Sequence, residues 1–325
     1  MFLKKVHLDT DLGGDTDDLC ALAMLLTWPG VEITGITTVA EDRGRRAGYT
    51  RYALALAGRP DIPVAAGADG SCGRYRSAID VPREEAYWPK PPIAPAPTPL
   101  ADALALLKRS IEDGARVVAI GPYTNLALLD EAHPGLLARA DLYLMGGHLH
   151  PIPAGFPQWD TTMDFNVQFD VTSARYLLER YSPTLIPIEV TVQTALRRAY
   201  LPALRASGAL GRLLARQAEA IAADWKHEET YGRTCAGLPD DIINYQHDPL
   251  ACAVALGWEG ATIESTRVST EVRDGWLYEQ VDEAGREMRV ATAVEGTRFN
   301  EFWLSKVSKK RGYPRRRHGQ RSLSR

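Results

Sequence analysis

Over most of its length the chain alternates short β-branched or apolar runs with stretches of helical pattern, and few folds accommodate that order. "KKVHL" is a short strand that stops at Asp9, and a helix that is apolar nearly all round starts at Asp17. "VEITGITTV" (31–39) is a second, buried strand, 43–58 an amphipathic helix ending at Gly58, and "IPVAAG" (62–67) a third strand. "ARVVAIGPYTNLALL" gives strand, turn and helix, "DLYLMGGH" strand and loop, and "TLIPIEV" another strand. Helices are expected over 195–225 and from residue 247. The strands "RVSTEV", "GWLYEQ" and "REMRVATAV" and a last helix near 297–308 follow. Residues 70–100, with "WPKPPIAPAPTP", form a surface excursion within the domain, because the alternation resumes after them. The pattern predicts an α/β fold: a single domain with a mainly parallel, Rossmann-like sheet flanked by helices, plus a small C-terminal β extension. The domain is expected to span 1–310, with a basic, disordered tail at 311–325.

Composition narrows the class. The 325 residues are 45% hydrophobic and 24% charged, which is globular. After Glu301 come nine Lys or Arg and no acid, so the body is more acidic than the net charge of −3 suggests. An acidic body gives no reason to expect a specific nucleic-acid partner. The four cysteines (Cys20, Cys72, Cys235, Cys252) are far apart and form no CxxC pair, which favours reduced thiols over disulfides or zinc. "MFLKKVHLD" is charged too early for a secretory signal, and no apolar run reaches membrane-spanning length. A cytoplasmic protein without membrane contact is the expectation.

In an open parallel sheet, ligands bind beyond the carboxyl ends of the strands. Asp9 and Asp11 follow the first strand, Asp42 the second, Thr124 and Asn125 follow "VVAI", and "MGGH" follows "LYL". The densest group is "LDTDLGGDTDD", with five aspartates between Leu8 and Asp18, joining a buried strand to a buried helix. Carboxylates crowded away from water repel and resist ionisation, and a divalent cation relieves both costs. Hard oxygen donors in this number suit calcium or magnesium. An acidic helix-capping turn is the simpler alternative. An EF-hand starting at Asp9 fails because Cys20 stands where a bidentate Glu is needed. A haloacid-dehalogenase-like DxD start lacks its later acidic pair after a strand.

"DTDLGGDTDDLCALAMLL" resembles the DxDxGxDDAxAL signature of the inosine-uridine preferring nucleoside hydrolase family, in a form with two extra residues before the paired aspartates. "GITTVAED", "AIGPYTNLALL", "LYLMGG", "MDFNVQFD" and "QHDPLACA" are similar to further family segments, in family order, over residues 5 to about 256. The resemblance implies a calcium-dependent ribonucleoside hydrolase with one Ca2+ per subunit. Asp11, Asp18, Thr124 (through its carbonyl) and Asp248 match metal ligands. Asp17 and Asn166 match residues holding the ribose 2′- and 3′-hydroxyls, and Asp164 falls where the family usually has Glu near the 5′-hydroxyl. Met145 lies in the Leu-Met-Gly-Gly segment and is placed with the substrate-binding group. Asp9 matches an aspartate behind the ligands. Asp42 falls at a common Asn position and Glu41 at a Gly. Gln158 and Asp160 are the candidates for a second sugar-contacting Asn. Asp15 has no counterpart and is expected to be solvated.

The resemblance implies attack by an oriented water with Asp11 as general base and inversion at the anomeric carbon. His247 is either the acid for the leaving base or a hydrogen-bonded structural histidine. Trp225, Tyr231 and Tyr245 either stack on the base or simply pack. Homodimers or homotetramers are common in the family. Three other readings stay open: an idle nucleoside- or sugar-binding protein that keeps the metal, a hydrolase of another riboside, and a tail that binds polyanions.

Overall fold

A computed structural model describes residues 3–70 and 84–308. The chain opens with β1 (Lys4–Thr10), α1 (Asp17–Thr27), β2 (Val31–Thr38), α2 (Arg45–Leu56) and β3 (Val64–Ala66). After α3 (Glu84–Tyr87) come α4 (Leu100–Glu112), β4 (Arg116–Ala119), α5 (Thr124–Ala132) and β5 (Asp141–Met145). Next are α6 (Phe165–Phe169), α7 (Val171–Arg180), β6 (Thr184–Ile186), α8 (Ile188–Thr191), β7 (Ala195–Arg197), α9 (Leu201–Ala206) and α10 (Ala209–Trp225). The chain finishes with β8 (Ile242–Tyr245), α11 (His247–Ala255), β9 (Ala261–Arg273), β10 (Trp276–Val281), β11 (Arg286–Val294) and α12 (Gly296–Val307).

Among the described residues nine strands form one sheet in the order β10-β9-β11-β6-β5-β4-β1-β2-β3. Every pair from β11 to β3 is parallel, and only β9 and β10 run antiparallel to their neighbours. The C-terminal β extension therefore joins the main sheet through β11 and β6. Strand order reverses between β1 and β4, where Asp9 pairs across to both Thr37 and Ala119. A crevice opens at such a switch point because the flanking connections leave on opposite sides. Helix α1 is buried from Asp17 to Leu26, which explains its apolar sequence all round. Indole Nε1 of Trp303 on α12 donates to the Cys20 carbonyl at 3.1 Å and ties the C-terminal helix to α1.

Three local expectations change. Pro187 has no N–H to donate, so the strand in "TLIPIEV" ends at Ile186 and Pro187 caps α8 instead. Residues 195–197 form β7 rather than helix, because they pair with β8 and the Ala195 N–H is taken by Asn300. The 70–100 segment is not all surface: Trp88 is fully buried and stacks on Tyr49 with ring centroids 4.1 Å apart. Residues 71–83 and the 311–325 tail lie outside the described residues. Among the described residues no helix is long and apolar enough to cross a membrane.

Candidate active site

β1 delivers Asp9 and Thr10 to the carboxyl edge of the sheet, and the chain crosses that edge as Asp11–Thr16 before entering α1. β8 delivers His247 and Asp248 to the start of α11. The two helix N-termini meet there, and Asp17 Oδ2 accepts the Asp248 N–H at 3.4 Å. Carboxylate oxygens of Asp17, Asp18 and Asp248 lie within 4.8 Å of one another, all three side chains buried. Oxygens bind calcium at about 2.3–2.6 Å, so a span of that size is bridged by a single ion. Positive helix ends offset only part of the charge.

Burial, and then mutual repulsion, hold Asp17, Asp18 and Asp248 well above the ordinary carboxylate range. Asp11 is half-buried; desolvation raises it, and the Arg46 guanidinium opposes the rise. Asp9 is fully buried and pushed up to about 7 by desolvation. Its Oδ1 accepts from Thr37 and from Asn125 Nδ2, while Oδ2 has no partner. Three buried hard-oxygen donors on one small volume, their mutual repulsion eased only on the Asp18 side by the Arg46 guanidinium, fit a divalent cation.

Asp11 stands beside this triad, outside the 4.8 Å group, and Asp17 stands inside it. The β4–α5 turn presses on Asp11 so closely that a Cβ at Gly121 would sit 2.9 Å from the Asp11 nitrogen and Oδ1. Thr124 begins α5 on the same turn, its hydroxyl donating to Asp170 at 2.7 Å. Asn166 Nδ2 donates to the carbonyls of Ile120 and Met145, each at 3.1 Å, bridging the ends of β4 and β5. Met145 is buried beside it, with Sδ at 3.2 Å from the same nitrogen. His247 Nδ1 meets the Thr191 hydroxyl at 2.6 Å, and burial pushes the imidazole down to about 3. It is therefore neutral in the free protein.

Asp42, Gln158 and Asp160 face solvent, whereas Asp164 is buried and Asp15 is close enough to Asp17 to repel it. Asp42 is at the surface beside Arg45, 3.4 Å from its Nε. Gln158 is exposed and spends its amide on Pro153 and Phe156 carbonyls of its own loop. Exposed Asp160 caps the turn Thr161–Met163 through the Thr162 N–H. Asp164 is buried and caps α6, its two oxygens accepting from Val167 and Gly147 N–H groups. Burial lifts it to about 6. Asp15 is half-buried rather than solvated: it accepts from Asn244 and is pushed up to about 7 by desolvation.

Tyr231 and Tyr245 belong to an aromatic cluster with Trp159, His227 and His247. Trp159 and Tyr245 are 5.0 Å apart, and Tyr245 and His247 5.4 Å. Trp225, 44% exposed, reaches this cluster through His227. Trp159, His227, Asn244 and Arg46 carry no motif in the sequence. Only their position after folding reveals them.

A family model for inosine-uridine preferring nucleoside hydrolases matches residues 6–301. The chain is 29% identical over 212 residues to the pyrimidine-specific ribonucleoside hydrolase RihA of Klebsiella pneumoniae, covering 62% of this chain and 66% of that protein, just under two thirds of its length. The Salmonella arizonae protein of the same description is 28% identical over 277 residues, covering 82% of this chain and 84% of its own. Among solved structures, a plant nucleoside hydrolase superposes with TM-score 0.76 at 21% identity, covering 94% of this chain and 99% of that one. The purine-preferring ribonucleoside hydrolase of Gardnerella vaginalis superposes with TM-score 0.75 at 23% identity, covering 94% and 98%. Both superpositions establish a shared fold. With its model matched over nearly the whole described chain, the protein belongs to the inosine-uridine preferring nucleoside hydrolase family.

Proposed function

We propose that this chain hydrolyses the N-glycosidic bond of ribonucleosides, using one calcium ion per subunit held by Asp17, Asp18 and Asp248 with Asp11 alongside. The observation that carries the proposal is the convergence of those buried carboxylates from opposite ends of the chain. The relatives are named for pyrimidine and for purine substrates, so the proposal is for ribonucleosides as a class.

Calcium, when bound, supplies a Lewis acid that holds a water and makes it more acidic. Asp11 is half-exposed at the edge of the triad, so its carboxylate is the one placed to accept that water's proton. Asn166 keeps its amide donors on two strand-end carbonyls, which fixes its Oδ1 for a ribose hydroxyl. Asp17 supplies a second acceptor for the sugar diol. Fixed acceptors orient C1′ and stabilise positive charge as it develops on the ring. Water adds from one face as the base leaves from the other, so the anomeric carbon inverts. A neutral His247, held at Nδ1 by Thr191, leaves Nε2 for the departing base. Half-buried Trp159, held edge-on by the buried Tyr245 ring, offers a ring face for the base to stack on.

Inosine, adenosine, guanosine, uridine, cytidine and a chromogenic riboside, assayed with calcium and with chelator, test this. Release of base and ribose in calcium, lost on chelation, is expected, and Asp11→Asn is expected to lower kcat by roughly 10³-fold. No product at any calcium concentration would overturn the hydrolase reading. Wild-type turnover by Asp11→Asn would take the base role from Asp11.

A further inference from the structure

Arg46 sits in the first turn of α2, is 2% exposed, and has no part in the chemistry above. Its guanidinium leaves the helix for the carboxyl edge of the sheet. Nε donates to the Ala40 carbonyl at 2.8 Å and Nη1 donates to the Asp11 carbonyl. A buried guanidinium ordinarily ends on a carboxylate fork, because leaving its charge unpaired in low dielectric is costly. Both of these hydrogen bonds go to main-chain carbonyls instead. From there the Arg46 charge acts on Asp11 and Asp18 of the acid cluster.

The turn that places it is built for the purpose. Ala40 and Arg43 take left-handed backbone, φ 48° and 52°, which costs a non-glycine residue about 1 kcal/mol or more. That path turns Asp42 outward and brings Glu41 inward, where its carboxylate accepts the N–H groups of Arg46 and Ala47. Arg46 is thereby fixed at the Asp11 peptide.

We propose that Arg46 is a positioning residue that sets calcium affinity: a permanent positive charge that shares the Asp11–Asp18 side of the cluster with the ion and keeps the Asp11 carbonyl from ligating it. This rests on the calcium reading above. An adjacent fixed cation repels a divalent ion, so it weakens binding while holding the Asp11 loop in place.

Calorimetric titration of calcium into chelator-stripped protein tests it, with Arg46→Gln, Arg46→Met and Arg46→Lys beside the wild type. Glutamine still offers an N–H to the Asp11 carbonyl, methionine fills the space without one, and lysine keeps the charge. Each neutral variant is expected to bind calcium about tenfold more tightly than wild type, with Arg46→Lys within about threefold of it. A purely structural Arg46 would weaken binding in all three. A folded neutral variant that binds no more tightly than wild type overturns the proposal, as does failure of both neutral variants to fold. If wild type itself binds no calcium, the metal reading falls and takes this inference with it. If wild type binds and the neutral variants bind no tighter, this inference falls alone.

Discussion

Behind the aspartates, a single buried histidine fixes the protonation of its neighbours. The Thr37 hydroxyl donates to Asp9 Oδ1, so it must accept from His7 Nε2–H, at 2.9 Å. Nδ1 of His7 then accepts from Ser110, also at 2.9 Å. Full burial pushes His7 down to about 3, from an ordinary histidine value of 6.5. Below pH 6.5 the unfolded chain takes up a proton that the folded chain refuses until about pH 3. The folded state therefore loses stability as pH falls through that window, by at most about 1.4 kcal/mol per unit. His7→Asn lacks this term while sharing every carboxylate with the wild type. Urea midpoints measured in chelator should show the variant less stable at pH 7 and the gap closing towards pH 4.5. A gap independent of pH would mean that His7 titrates normally in the fold.

At the scale of elements, α2 depends on an acceptor that precedes it by four residues. Gly44, at its N-cap, has no side chain to offer, and Glu41 reaches forward to the N–H groups of Arg46 and Ala47 while also accepting from Asp42 N–H and the Thr38 hydroxyl. Charge-assisted bonds to otherwise unpaired helix donors are worth about 1.5–3 kcal/mol in total change when removed. Glu41→Ala should lower unfolding free energy by about that amount, read by urea denaturation; a change under about 0.5 kcal/mol would show that water caps the helix equally well. The same element shows where the sequence stops speaking. Most strands and helices are legible because each has its own period, and the aspartates because five of them crowd the junction between the first strand and the first helix. Asp17, Asp18 and Asp248 carried a pattern that put them at a strand–helix junction. Arg46 looked like one more charge on an amphipathic helix, because nothing local says that Ala40 turns left-handed. Gln158 and Asp160 are the candidates where the resemblance gives no clean match for a second sugar-contacting Asn, and the loop folds on itself and leaves them exposed. Trp159, between them, turns inward to Tyr231 and Tyr245.

For the whole molecule, the site joins the first crossover of the sheet to one of the last. Asp17 and Asp18 open α1, Asp248 opens α11, and the two helices pack with their like-charged ends together. Without a cation this is a local cost written into the global fold, because the carboxylates meet only when both crossovers are in place. Removing one of them has opposite consequences with and without metal. Asp248→Asn deletes a buried charge that repels Asp17 and Asp18, so in chelator the variant should unfold at higher urea than wild type. In calcium the order should reverse, since an ion at 100 times its Kd stabilises the intact site by about 2.7 kcal/mol and has one ligand fewer in the variant. Crossing of the two midpoints on adding calcium is the expected result. If Asp248→Asn were the weaker protein in chelator and gained as much from calcium as wild type, the ion would be binding away from α11, and the two ends of the chain would not share it.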